Sequence, residues 1–283
     1  MAVLKTTLKF SEPIKSPFRF PGSKAQAIKF IKPFWEAVSH DEYREPFFGG
    51  GAVFFAKPKV KFNWLNDISS DLITTCKIVA DPKRRKELIS KVIMEIANKK
   101  RHEEIKNWQP QDTLEIAHRF FYLNRTSYSG IMKKPAWGYH DKKSVPPQRW
   151  GKRIEESGLK LEGTKLTSED FSKVIEAPRS GNSVFMFIDP PYFKADQKRA
   201  YEFSFKIEDH LRLAQILKKT PHKFCLTYDD CKEIRELYSW ARIHPVSWRY
   251  HTANSNKAKR KMGSELIITN FEPIFVSIEK SHL

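Results

Sequence analysis

The chain has 283 residues, with 51 Lys and Arg against 33 Asp and Glu, a formal charge of +18 at pH 7. That length accommodates one large core or one core plus a smaller lobe, and the charge points to a polyanionic partner, nucleic acid first. The longest apolar runs are too short to span a bilayer, the opening Met1–Phe10 stretch lacks a signal-peptide core, and Cys76, Cys225 and Cys231 make neither a disulfide framework nor a paired zinc set, so a cytoplasmic protein with core thiols and no membrane partner is expected.

The first stretch with chemical content is Pro17-Phe-Arg-Phe-Pro-Gly-Ser-Lys24, followed by a helical pattern over 25–31. A Pro-Gly turn at a helix start leaves N–H groups free beside Lys24. It can hold a carboxylate or phosphate, or serve as a plain N-cap. Glu45-Pro-Phe-Phe-Gly-Gly-Gly51 then leads into an apolar helix. Three glycines let a ligand approach the backbone closely, or let elements pack tightly. The stretch is neither a P-loop nor a good dinucleotide fingerprint. Lys61-Phe-Asn-Trp-Leu-Asn-Asp67 reads as a strand ending in an acid, with a helix from Ser69 or Ser70. A strand-terminal carboxylate after a glycine turn suits ribose hydroxyls, so the two together suggest an adenosine-containing cofactor.

From about 73 to 155 the character changes. Residues 82–106 carry many charges, with Ile89, Val92, Ile93 and Ile96 at helical spacing, and are expected to form one amphipathic surface helix. In the stretch 120–139, aromatics interleave with Arg125, Lys133 and Lys134 around turn residues. That mixture suits base and phosphate contacts, or an aromatic mini-core under solvated lysines. The α/β pattern resumes with a short strand expected over Leu159–Glu162 and a helix opening at Thr167–Phe171. Val184–Ile188, five apolar residues in a row, reads as a strand buried on both faces. It stops at Asp189-Pro190-Pro191-Tyr192, because two prolines cannot continue a central strand. A carboxylate, a stiff turn and an aromatic ring therefore sit at a strand's carboxyl end, where open α/β sheets bind ligands. A helix over 207–219, a strand over 223–228, and strands at 247–250 and 265–271 complete the pattern. The basic segment Asn254–Lys261 between the last two is too hydrophilic to pack and suits phosphate contacts.

In this order the blocks resemble the Dam-like DNA adenine methyltransferases. The matching stretches are Phe18–Lys24, Glu45–Gly51, Asn66-Asp67, Phe121–Gly130 and Asp189–Tyr192, with a weaker match at Ser168–Phe171, and Lys223–Asp230 and Glu265–Phe271 extend the likeness towards the end. The resemblance implies a doubly wound, mostly parallel α/β sheet of the class I, Rossmann-like methyltransferase type. Residues 1–72 and 156–283 are expected to form the catalytic domain, with a helical and hairpin-bearing recognition lobe, 73–155, inserted between its halves. It also implies S-adenosylmethionine as cofactor, double-stranded DNA as partner, and a cognate restriction endonuclease as a further candidate partner. Phe20 and Lys24 match the first cofactor segment. Glu45, Pro46, Phe47, Gly49 and Gly51 match the loop around the methionine part, and Asp67 the ribose acid. Asp170 and Phe171 match the segment beside the cofactor's adenine, and Asp189 touches both cofactor and target.

Asp189, Pro190, Pro191 and Tyr192 match the catalytic tetrapeptide. An exocyclic amine conjugated to a ring is a poor nucleophile. Carboxylate and carbonyl acceptors favour its pyramidal form and stabilise the positive charge that develops. The prolines limit reorganisation, and Tyr192 offers a face to an extruded base; no metal is needed. Arg125, Ser129, Ile131, Lys133, Trp137 and Tyr139 fall in the segment resembling the recognition hairpin, and Lys257, Lys259, Arg260 and Lys261 in the basic segment. Members that modify GATC carry Asn and Arg where this chain has Ser129 and Lys133. Lysine cannot reproduce arginine's two-point contact to guanine, so the departure bears on the site read rather than on the base modified. Two other readings stay open: amino-methylation of cytosine, against which Asp189 in place of serine argues, and a catalytically silent nucleic-acid binder.

Overall fold

A computed structural model describes residues 13–194, 205–249 and 262–273. Five parallel strands form the centre: β1 (Glu42–Glu45), β2 (Phe62–Asn66), β3 (Lys165–Thr167), β4 (Val184–Ile188) and β5 (Lys223–Asp229). An antiparallel hairpin, β6 (Arg242–Arg249) and β7 (Met262–Thr269), completes the sheet through β7. The spatial order is β3-β2-β1-β4-β5-β7-β6, so the winding reverses between β1 and β4. A crevice opens at the carboxyl ends of strands flanking such a reversal.

Alternation along the strands assigns the two faces. Phe185 and Phe187 of β4 join Tyr43, Leu65, Cys225 and Ile267 in one cluster of buried side chains. Val184, Met186 and Ile188 join Phe224, Leu226, Leu266 and Ile268 in the other. The first face carries α1 (Ile28–Glu36), α2 (Ala52–Ala56) and α3 (Ser70–Ala80). The second carries α8 (Phe171–Ile175), α9 (Ile207–Lys219) and α10 (Lys232–Leu237). Both faces are covered, which is the doubly wound arrangement expected for a strand as apolar as Val184–Ile188.

Between β2 and β3 the chain adds α4 (Pro82–Val92), α5 (Lys99–Asn107), α6 (Thr113–Thr126) and α7 (Trp150–Leu161). These helices share buried side chains with the sheet: Leu88, Ile105, Phe121 and Ile154 belong to the same cluster as Tyr43 and Phe185. Between α6 and α7, a loop is closed by the antiparallel bridge Ser127–Trp137, with Tyr128 N–H donating to Ala136 and Gly138 N–H to Thr126.

The strand expected at 247–250 begins earlier, at Arg242, and two expected elements differ in kind. Leu159–Glu162 is the last turn of α7 and its cap, not a strand; the strand comes later, at Lys165–Thr167. Ile154 and Leu161 place apolar groups on one helical face, and Gly158 lets α7 close onto Arg85 and the Val79 carbonyl. The expected single helix over 82–106 is two, α4 and α5. Between them Met94 and Ile96 are 79% and 66% exposed, while Glu95 is buried against Arg101 and His118. The Ile96 carbonyl accepts from Tyr122 of α6 and Asn98 caps α5, so one tertiary and one local hydrogen bond hold a break that apolar spacing does not reveal.

Candidate active site

The carboxyl ends of β1, β2 and β4 open into one cleft. It is lined by Phe20, Lys24, Glu45, Pro46, Phe47, Gly49, Gly51, Asp67, Asp170, Phe171, Asp189 and Pro191. Every position expected to bind the cofactor therefore lines a single cavity, although these residues lie up to 169 positions apart.

The glycine turn follows β1. Gly49 and Gly51 have φ of +46° and +63°, values that side-chain-bearing residues avoid. Gly51 opens α2, and a Cβ there would run into the Phe48 ring. Asp67, just past β2, ties the turn in place: Oδ2 accepts from Gly49 N–H at 2.7 Å and Oδ1 from Ser69 N–H at 3.0 Å. Burial pushes its carboxyl up, opposed by those two N–H groups. Asn66 pins three loops together. Its amide donates to the Pro46 and Glu169 carbonyls, and its oxygen accepts from Thr167 and the Glu169 N–H.

Glu45 is 1% exposed and accepts from the Phe54 N–H at 2.8 Å and from the Tyr43 hydroxyl. Burial pushes its carboxyl up to about 8. On the far wall Phe47 and Phe171 stack at 5.3 Å, with the Arg212 guanidinium 4.2 Å above the Phe171 ring. Asp170 caps α8 through Ser172 and takes both ends of Arg212 at 2.7 and 2.8 Å, which holds it down at about 2.

The tetrapeptide leaves β4 at the crevice. Both Asp189 oxygens lie 2.8 Å from Lys24 Nζ, and Oδ1 also accepts from Thr227 at 2.7 Å. Pro190 is buried and Pro191 lines the cleft. Tyr192 is half-buried. Its ring lies 5.9 Å from that of Tyr228, Lys24 Nζ is 4.8 Å from its centroid, and its hydroxyl donates to Glu265. Just beyond, Asp229 accepts from the Phe193 and Lys194 N–H groups and fixes the chain after the turn.

The expected DNA-contacting residues divide. Lys133 reaches the cleft mouth beside Met132 and Gly130. Ser129 and Ile131 lie in the same bridged loop, Ser129 with φ of +53°. The aromatic this loop leaves most open is Tyr128, 39% exposed. Trp137 packs edge-on against His102 at 5.5 Å and leans on Tyr139. Arg125 does not enter the cleft. It lines a separate hollow with Arg149 and Arg153, and burial beside Arg19 and Arg153 brings its guanidinium down to about 10. Lys257, Lys259, Arg260 and Lys261 lie outside the described residues.

The roles of Thr227, Asp229, Glu265 and Arg212 escape sequence reasoning. Each reaches the site from a strand or helix remote in the chain; the first three fall in the stretches Lys223–Asp230 and Glu265–Phe271 that extend the resemblance, but nothing in those stretches names their partners. The contact between Lys24 and Asp189 likewise joins two recognised segments 165 residues apart.

Comparison with known proteins agrees with this geometry. A type II methyltransferase, M.CviBI of Paramecium bursaria Chlorella virus NC1A, is 29% identical over 74% of this chain and 81% of its own. A second, M1.LlaDCHI of Lactococcus lactis subsp. cremoris, is 24% identical over 90% of this chain and 95% of its own. The DNA adenine methylase of Escherichia coli K12 is 28% identical over 83% and 88%. Residues 20–252 match a single family model, and the chain belongs to the D12 class N6 adenine-specific DNA methyltransferases.

Proposed function

We propose that this cleft holds S-adenosylmethionine, the methyl donor of the family, beside an adenine flipped out of double-stranded DNA. The observation that carries the reading is the opening of Asp67 and Asp189 into one crevice, from β2 and β4, on either side of the β1 glycine turn. The lining suits the cofactor's parts. Asp67 faces ribose hydroxyls, the Phe47–Phe171 pair suits a purine ring, and Lys24 and Glu45 suit a zwitterionic amino acid. When bound, the cofactor supplies an electrophilic methyl group.

The chain's own residues prepare the nucleophile. The Asp189 carboxylate and the Pro190 carbonyl accept from the target amine, draw its nitrogen towards a pyramidal form and stabilise the charge that grows there. Pro190 and Pro191 hold these acceptors with little freedom, so alignment costs little at the moment of reaction. Tyr192 gives the extruded base a face to stack on, which offsets part of the stacking lost from the duplex. Ser129, Ile131 and Lys133 in the bridged loop contact base edges. Arg125 belongs to the same recognition segment, and the basic segment Lys257–Lys261 neutralises phosphates. The DNA-facing unit runs from about residue 73 to 155, inserted into a catalytic domain made of residues 1–72 and 156–283. The reading places the enzyme in the cytoplasm, with or without a cognate restriction endonuclease.

Incubation with DNA and labelled S-adenosylmethionine, followed by mapping of modified bases, tests this reading. Label on adenine within one short sequence is the expected result. Label on cytosine, or none, overturns it.

A further inference from the structure

Glu265 is a carboxylate in an unusual place. It sits in β7, between Asp229 of β5 and Val246 of β6, and is 1% exposed. Its Oε2 takes the Tyr192 hydroxyl, while Oε1 has no hydrogen-bond partner among the described residues. Burial pushes the carboxyl up to about 7, against the pull of Lys24 and of the tyrosine's hydrogen bond. A carboxyl group in this setting is costly to the fold, and an apolar side chain would fill the site more cheaply. One strand over, Thr227 of β5 donates to Asp189. The two ends of the tetrapeptide are thus each held by a polar side chain from the antiparallel half of the sheet or its neighbour.

We propose that Glu265 is a positioning residue for methyl transfer: by accepting the Tyr192 hydroxyl, it fixes where the ring stands, and so the face against which the target base stacks. The inference rests on the reading of Tyr192 given above. Among the contacts on that ring are the Glu265 bond at its hydroxyl, the Tyr228 ring at 5.9 Å and the Lys24 ammonium over its face. The Glu265 bond anchors the far end of the ring and so resists its swing about the Cα–Cβ axis. Tyr228 makes a tilted contact, and Lys24 is shared with Asp189. Loss of the Glu265 acceptor leaves the ring in place on average and widens its orientations, so a base docks less often in line with the methyl group.

The test is a double-mutant cycle on the single-turnover methylation rate, with a cofactor analogue's affinity and thermal unfolding as controls. Glu265→Leu is expected to slow methyl transfer about tenfold, with the analogue's affinity and unfolding little changed. Glu265→Gln, whose amide oxygen still accepts, recovers the rate to within about threefold. In a Tyr192→Phe background, Glu265→Leu is expected to have no further effect, because the hydroxyl it serves is absent. An equal loss in both backgrounds, or a Glu265→Gln as slow as Glu265→Leu, overturns the inference. Tyr192→Ala separates the two readings. If it methylates like wild type, the role of Tyr192 itself fails. If it is inactive while Glu265→Leu is fully active, only the role of Glu265 fails.

Discussion

Asp189 has a structural duty beside the chemical one proposed for it, since it pairs with Lys24, an ammonium only 5% exposed. Asp189→Ala therefore removes the acceptor proposed for the target amine and takes the carboxylate from a buried cation that keeps the Gly22 carbonyl, and is expected to lower stability as well as activity. Asp189→Asn keeps an oxygen for Lys24 and is the cleaner variant. It is expected to lower the single-turnover rate at least about a hundredfold with a much smaller shift in urea unfolding. A rate within about tenfold of wild type, roughly 1.4 kcal/mol of barrier, would count against the role of Asp189. Glu45 offers a second test at this scale. Its folded-state value, about 8, lies above the ordinary 4.5. Its contribution to stability is thus fully present below about pH 4.5 and is lost as pH rises towards 8, at up to about 1.4 kcal/mol per pH unit. Glu45→Gln does not titrate and can still accept from Tyr43 and Phe54. Its thermal midpoint relative to wild type is expected to rise between pH 5 and pH 8. A flat difference across that range would contradict the burial of an ionisable group here.

Among the elements, α7 shows how contact overrides propensity. Alanine normally stabilises a helix by about 1 kcal/mol over glycine. At Gly158, however, an added Cβ meets the Arg85 side chain and the Val79 carbonyl, and that arginine is held by Glu155 and Glu162. Gly158→Ala is expected to destabilise by about 1–3 kcal/mol in chemical denaturation, the sign opposite to propensity. The strand β1 makes a related point. Its sequence, Glu42-Tyr43-Arg44-Glu45, does not read as a buried strand, yet all four residues are buried. Arg44 donates to Glu42 and to the Val174, Ala177 and Pro178 carbonyls, so its charge is paired and its donors used. No apolar pattern marks such a strand. By contrast β4, five apolar residues closed by two prolines, is visible from composition alone.

For the molecule as a whole, +18 of charge implies DNA binding that weakens steeply with salt. Neutralising Lys257, Lys259, Arg260 and Lys261 together is expected to weaken binding to all DNA alike and to flatten the salt dependence by up to about 0.9 log unit per lost contact. Lys133→Ala, at the cleft mouth, is expected to act on one base pair, costing about 1–3 kcal/mol on the preferred sequence and less on others. Methylation over a randomised DNA library checks both. If Lys133→Ala slows all sites equally and the fourfold variant changes site preference, the two regions have exchanged roles.

The sequence alone determined the fold class, the chemistry and most of the cleft's lining, because these depend on short contiguous blocks. A glycine turn, a strand-terminal acid and a proline-stiffened acid each carry their local geometry with them, and the blocks' order carries the family resemblance. The same blocks excluded cytosine only weakly, through Asp189; membership of an N6 adenine-specific family closes that question. Tertiary structure decided how those blocks are held. Thr227 and Glu265 reach the tetrapeptide from 38 and 73 residues away, and Lys24, which precedes β1, meets Asp189 at the end of the neighbouring β4. A single hydroxyl or carboxylate on a strand carries no local signal of its partner. Its role follows from which strand the sheet places alongside, and that is settled by the packing of both faces together.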